Sequence, residues 1–394
     1  MSGPDKAGPG DPAPTKPSSP PKAATPGRPT RRRRASVIGA VVGVTAAGIA
    51  AGVATQRLIL RRARMSQTEL ADEPFGRLPF DESATVTTAD GIELHVEIVE
   101  PADGLDLEVG FPPPGAPEHP ETPTLVFVHG FCLDMGTFHF QRRELGHVGT
   151  HRMVFYDQPG HGRSTRLTRG EYTLDMLGEA LHQVIEEIVP TGPIVLVGHS
   201  MGGMTIMALA ESHPELFGSR VTGVVFISTS AGRSGQPAAG MSAVLGRFTR
   251  QLVPLVSTTS RTGAGVIDAA RRASTDLAWL LTRRYGFGSP RPAPALVSYV
   301  ERMNGRTSTD VVARYIRALS THARHPSLEA LRGTKVLAIC GDHDYLTPLA
   351  HSEAICKALP GTRLVVVPEA GHVALMEKPD VVNGAILAFL DEVG

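Results

Sequence analysis

Pro193-Ile-Val-Leu-Val-Gly-His-Ser-Met-Gly-Gly203 begins as an apolar run and stops on Gly198-His199-Ser200-Met201-Gly202. Ile194 to Gly198 has the continuous apolar character of a strand buried on both faces, and Met204 to Glu211, rich in Met, Ala and Leu, has that of a helix. Between them the chain must reverse within a few residues, which forces Ser200 into a strained turn with its hydroxyl pointing out of the sheet. Gly198 and Gly202 carry no Cβ, so strand and helix can approach closely there. A pattern as short as G-x-S-x-G is weak evidence by itself. Ser200 becomes a candidate nucleophile only if the rest of the chain supplies a base and an acid.

Strands and helices alternate on both sides of this turn. Ala84 to Glu100 reads as two β-rich runs split by the turn signal Ala89-Asp90-Gly91. Thr124 to Gly130 and Met153 to Asp157 read as buried strands. Tyr172 to Val189 has helical apolar spacing at Leu174, Leu177, Leu181, Ile185 and Ile188, with Pro190-Thr-Gly192 as its stop. Val221 to Ser228, Lys335 to Gly341 and Arg363 to Pro368 are further strands, and Pro379 to Val393 is the last helix, its proline suited to a first-turn position. This order predicts a doubly wound, mostly parallel α/β sheet. Residues 231–330 break the rhythm: Met241 to Leu255, Ala264 to Tyr285, Ala293 to Met303 and Thr309 to Ala323 look helical, so a helical cap is expected between the sixth and seventh strands. The expected core is residues 84–230 and 331–394.

The N-terminal part differs in kind. Residues 1–34 are rich in Pro and Arg with few apolar side chains, the composition of a disordered tail. Ala35 to Gln56 is 22 residues without a charge, flanked by arginines on both sides. Residues 35–60 are therefore expected to form a single transmembrane or signal-anchor helix, followed by a linker over 61–83. Six Lys or Arg from Lys22 to Arg34, against four from Arg57 to Arg64, lean toward an outer C-terminal domain. The competing expectation is secretion after cleavage near Gly52-Val53-Ala54. A Pro-rich loop is expected over residues 101–123.

With 39 basic and 39 acidic residues and 5% aromatics, the 394-residue chain carries no global sign of nucleic-acid binding. Cys132, Cys340 and Cys356 match neither a disulfide framework nor a zinc pattern. No cofactor-binding motif and no metal site is expected; His147 and His151 are four apart, but no Glu follows the first.

A serine hydroxyl needs a histidine to take its proton and a carboxylate to orient that histidine. In a parallel sheet the functional loops collect at the carboxyl ends of the strands. Two such loops qualify: Gly341-Asp-His-Asp-Tyr-Leu-Thr-Pro348 offers Asp342 and Asp344, and Glu369-Ala-Gly-His372 offers His372.

These segments together resemble the α/β-hydrolases of the cap-bearing serine esterase and lipase type, over roughly residues 80–394. The resemblance rests on His129-Gly130-Phe131, on Asp157-Gln-Pro-Gly-His-Gly-Arg-Ser164, on Gly198 to Gly203, on the acid loop Gly341 to Pro348, and on Gly371-His372 with Glu377-Lys-Pro379. It implies Ser200 as nucleophile, His372 as base and Asp344 rather than Asp342 as the acid. It also implies backbone N–H groups of Met201 and Phe131 as the oxyanion donors. The implied activity is cleavage of a carboxylic ester or thioester, of an apolar, small or lipid-like acyl substrate, through an acyl-enzyme. Other serine branches of the fold stay open, namely C–C bond hydrolases, haloperoxidase-like perhydrolases and acyltransferases, as does a non-catalytic binding module. His129, His161 and His199 are expected to fix loops or pack beside the turn.

Residues 231–330 hold fourteen Arg and no Lys against five acidic residues. That excess fits either a surface facing an anionic partner or a solvated helix face. Leu252, Val253, Leu277, Trp279, Leu280, Val297 and Tyr299 are expected on its sheet side.

Overall fold

The computed structural model describes residues 70–102, 122–232 and 280–393. The expected tail, the expected membrane helix at 35–60, most of the Pro-rich loop, the first helix of the expected cap and residues 264–279 of the second lie outside them, as do Leu252, Val253, Leu277 and Trp279. Among the described residues no helix is long and apolar enough to cross a membrane.

Eight strands form one sheet: β1 (Glu82–Thr87), β2 (Glu93–Val99), β3 (Thr124–Val128), β4 (Met153–Tyr156), β5 (Ile194–His199), β6 (Val221–Ile227), β7 (Lys335–Gly341) and β8 (Arg363–Val367). Their spatial order is β1-β2-β4-β3-β5-β6-β7-β8. The β1–β2 hairpin is antiparallel and joins β4 antiparallel, while β4 through β8 are all parallel. Thus β5, the strand that runs into Ser200, lies inside the sheet with all six residues buried.

Side-chain alternation sends Val126, Leu196, Val224 and Val336 to one face, where they pack with α2 (Leu174–Ile188) and α3 (Met201–Ser212). The other face carries Phe127, stacked on Phe155 with ring centroids 4.5 Å apart. It also carries α1 (His139–Val148) and the C-terminal helix α7 (Pro379–Val393). A buried bond from Gln141 Nε2 to Asn383 Oδ1, 2.8 Å, ties these two helices. The sheet is therefore wound on both faces, as its strand and helix alternation requires.

Among the described residues three α-helices escaped the sequence reading, α1, α6 (Leu349–Ala358) and the single turn Ala374–Glu377, all short. Gly149, in the left-handed region at φ 70, closes α1 and separates His147 from His151. Between β6 and β7 the described residues form α4 (Pro294–Arg306) and α5 (Thr309–Ser320), preceded by a helical stretch at 280–286. Ser308 caps α5 by accepting from Val311 N.

Tyr299 and Tyr315 are buried and reach from these two helices to core loops. Tyr299 donates to Gly136 O at 3.1 Å and Tyr315 to Pro159 O at 2.7 Å. The arginines work as fasteners: Arg306 pairs with Asp134, Arg317 with Glu171, and Arg324 with Asp175 and Glu211. Arg314 bonds the carbonyls of Leu167 and Gly170. Four arginines of the described part of this segment, Arg306, Arg314, Arg317 and Arg324, are thus directed at carboxylates and carbonyls of the core.

Candidate active site

Ser200 stands at φ 54 and ψ −115, outside the comfortable regions for an L residue, between the last residue of β5 and the first of α3. Such a conformation costs on the order of 1–3 kcal/mol and persists only where the surroundings impose it. The imposed contact is visible at Gly202, where an added Cβ would stand 1.9 Å from Val128 O. At Gly198 it would stand 2.7 Å from the Gly203 N. Strand and helix are packed closer than any side chain allows, and the chain between them has no room for an ordinary turn.

The later strand ends bring two side chains to this serine. His372 Nε2 lies 2.8 Å from Ser200 Oγ, and His372 Nδ1 lies 2.9 Å from Asp344 Oδ2. Ser200, Asp344 and His372 are all buried. Asp344 also accepts from the backbone N–H groups of Leu346 and Thr347 and from the Thr347 hydroxyl, 2.8–2.9 Å. Burial alone would raise its carboxyl, but His372 and these donors outweigh that and hold it below the usual range. Asp342, the other carboxylate of the loop, is part-exposed and lies 3.4 Å from His343. A carboxylate on Nδ1 fixes the tautomer in which Nε2 can accept the serine proton.

The Gly130–Phe131 turn lies against the serine: a Cβ at Gly130 would stand 3.1 Å from Ser200 Cβ. Leu133 N closes this turn on Gly130 O, Cys132 sits at φ 58, and its N–H donates to His161 Nε2. Among the described residues, neither the Phe131 N–H nor the Met201 N–H has a partner. Two unspent donors flanking Ser200 are what a developing oxyanion requires.

Three buried histidines hold this frame. His129 donates from Nδ1 to Gly130 O and accepts from Gln158 N; His161 donates from Nδ1 to Pro159 O; His199 donates from Nε2 to the His372 carbonyl at 2.9 Å. Burial drives all three toward the neutral form, to about 4, 3 and 3. As neutral rings each can donate on one nitrogen and accept on the other, the property the loops use. The bond from His199 to the backbone of His372 was not legible from their positions, 173 residues apart.

Glu377 was quoted only as part of a motif, yet it joins two loops. Its carboxylate accepts from Gly371 N at 2.8 Å, from Gly288 N at 3.0 Å and from Ser289 N at 2.6 Å. Val373 N also donates to Gly286 O. The chain entering α4 is thereby seated on the loop that carries His372.

Comparison with known proteins agrees with this architecture. Residues 123–379 match the family described as alpha/beta hydrolase fold. The chain is 28% identical over 265 residues to the dihydrolipoyllysine-residue acetyltransferase component of the acetoin cleaving system of Cupriavidus necator, covering 67% of this chain and 62% of that protein. It therefore spans less than two thirds of that relative. It is 27% identical over 275 residues to the sn-1-specific diacylglycerol lipase ABHD11 of Mus musculus, covering 68% of this chain and 81% of the lipase. Among solved structures, a thermophilic esterase from Thermogutta terrifontis superposes with a TM-score of 0.58 at 25% identity, over 79% of this chain and 99% of the esterase. The strand order, the strained serine and the family match lead to one conclusion: this chain belongs to the α/β-hydrolase fold family.

Proposed function

We propose that this protein is a serine hydrolase that cleaves carboxylic esters or thioesters through an acyl-enzyme. The observation that carries the reading is the continuous line from Asp344 Oδ2 through His372 to Ser200 Oγ, with links of 2.9 and 2.8 Å. His372 takes the hydroxyl proton as Ser200 attacks the acyl carbon, and returns it to the leaving alcohol or thiol. Asp344 keeps the ring oriented and stabilises its cation. The N–H groups of Phe131 and Met201 hold the oxyanion, each worth about a hundred- to a thousandfold in rate. Water activated by the same histidine then releases the acid.

Residues 231–330 act as a helical cap over Ser200 and shape an apolar acyl site, in keeping with the ester-cleaving names of the similar lipase and esterase. Residues 35–60 anchor the chain as a single-pass helix with the hydrolase on the outer side. Carbonate extraction checks this: the full chain stays in the membrane pellet, and its release to the supernatant rejects the anchor.

A panel of p-nitrophenyl esters of rising chain length tests the activity. Turnover is expected to pass through a maximum with chain length and to fall about 10⁴-fold in Asp344→Asn, the cost of a misoriented imidazole. Equal turnover by Ser200→Ala and the unmodified protein would reject the reading.

A further inference from the structure

On the side of the sheet that carries α2 and α3, far in sequence from Ser200's partners, Glu179, His182 and His213 place one ligand atom each within 4.8 Å of one another. Glu179 and His182 are three apart on α2 and therefore share a face. His213 is the residue that closes α3. From this arrangement we infer that Glu179, His182 and His213 form a binding site for a divalent transition-metal ion, best suited to Zn²⁺, that clips α2 to the end of α3.

Three features carry the inference. The donor set is two imidazoles and one carboxylate, which suits zinc and its neighbours rather than calcium or magnesium. Next comes spacing: His213 Nε2 lies 3.1 Å from both carboxylate oxygens of Glu179. Two ligands of a tetrahedral zinc at about 2.1 Å stand about 3.4 Å apart, so these two groups already hold nearly that separation around a proton. His182 lies stacked on His213, centroids 3.7 Å apart and planes 12° from parallel, and it completes the set by rotating its part-exposed ring off the stack so that both in-plane nitrogen lone pairs meet one ion.

Charge is the third feature. Around the two rings stand Glu179, Glu186 on His182, and Glu215 on His213, with Arg220 pairing Glu186. The formal balance of three carboxylates and one guanidinium is −2, the charge a divalent cation neutralises. All three candidate ligands are partly open to solvent, which leaves a path for the ion and a position for water as a fourth ligand. His147 and His151 lack this convergence because Gly149 turns the chain between them.

Calorimetric titration of Zn²⁺ into the untagged full chain, first stripped with a chelator, tests the site. One ion per chain is expected with Kd of about 1 µM or tighter, and saturating Zn²⁺ is expected to raise Tm by about 5 °C. His182→Ala and His213→Gln should each weaken binding by more than about 10-fold and abolish the Tm rise, with Glu179→Gln in between. Circular dichroism in the absence of metal identifies a variant that fails to fold, and the other two then decide. Absence of saturable binding overturns the inference. So does tight binding that all three variants retain, which would place the ion at other donors. Neither result bears on Ser200, because the site is independent of the hydrolytic reading.

Discussion

The loops that end β3, β5 and β8 and the helices between β6 and β7 are held by different chemistry. Around Ser200 the fastening is buried and close: glycines without room for a Cβ, His129 and His161 bonded at both nitrogens, and carboxylates bonded by backbone N–H groups. The helices α4 and α5 are held by an apolar seam, in which Val311, Tyr315 and Leu319 pack with Leu177, Met201 and Met204, by two tyrosine hydroxyls, and by arginine pairs at the rim, several of them well exposed. Exposed pairs contribute at most about 1 kcal/mol each. Ser200 and its neighbours thus sit in a frame of close backbone contacts and buried polar bonds, whereas α4 and α5 join the core through an apolar seam whose rim pairs can be exchanged at small cost. For the proposed reaction the close frame matters most, because a misplacement of about 1 Å among Ser200, His372 and Asp344 would cost about a hundredfold in rate.

The contrast is broken most severely at Gly202. Gly202→Ala drives a Cβ into the Val128 carbonyl and is expected to cost more than about 3 kcal/mol or to prevent folding. Gly384→Ala, inside α7 with nothing within 4 Å of the added atom, is expected to gain up to about 1 kcal/mol. Urea titration of the two variants reads both signs.

Acid attacks the frame next. His129, His161 and His199 are held at about 4, 3 and 3 against 6.5 for a free ring. The unfolded chain takes up protons below pH 6.5 that the folded chain refuses. Stability present above pH 6.5 is therefore lost as pH falls toward 3–4, by up to about 1.4 kcal/mol per ring per pH unit. Urea midpoints should fall steeply from pH 7 to 5, and His161→Gln should reduce that slope by about one proton.

At the junction of the two regions, Glu377→Ala strands three backbone donors and frees the His372 loop from residues 286–289. Turnover is expected to drop about 10- to 100-fold with KM changed less than about threefold, the pattern of a shifted base rather than a lost binding contact. The smallest effect belongs to the rim: Arg317→Ala, whose pair with Glu171 is exposed on both sides, should change stability by less than about 0.5 kcal/mol.

This contrast also explains what could be read from the chain. Ser200 and His372 each sit in a short stretch whose spacing answers a local demand, a reversal after a strand or a loop at a strand end, whereas the choice of Asp344 over Asp342 and of the Phe131 N–H came from the resemblance to the family. Such demands survive in one dimension. The last helix, Pro379–Val393, was legible to the residue because proline opens it and its apolar spacing is unbroken. Other relations depend on contacts only the fold creates. His199 reaches the His372 backbone, Glu377 reaches Gly288, and Arg306 reaches Asp134 across 173, 89 and 172 positions. The arginine excess of 231–330 was visible as a number, but the pairing of Arg306, Arg317 and Arg324 with carboxylates was not, since those partners lie outside the segment. Short α1 and α6 escaped for another reason: α1 is weakly apolar, and neither spans more than three turns.

The central claim is that Ser200 is an activated nucleophile, and a fluorophosphonate probe tests it most directly. Incubation of the folded full chain, followed by peptide mass spectrometry, is expected to give one adduct per chain on the peptide holding Ser200, absent in Ser200→Ala and slowed by more than about 10³-fold in His372→Ala. No adduct on the folded protein, or labelling that persists in Ser200→Ala, would contradict it.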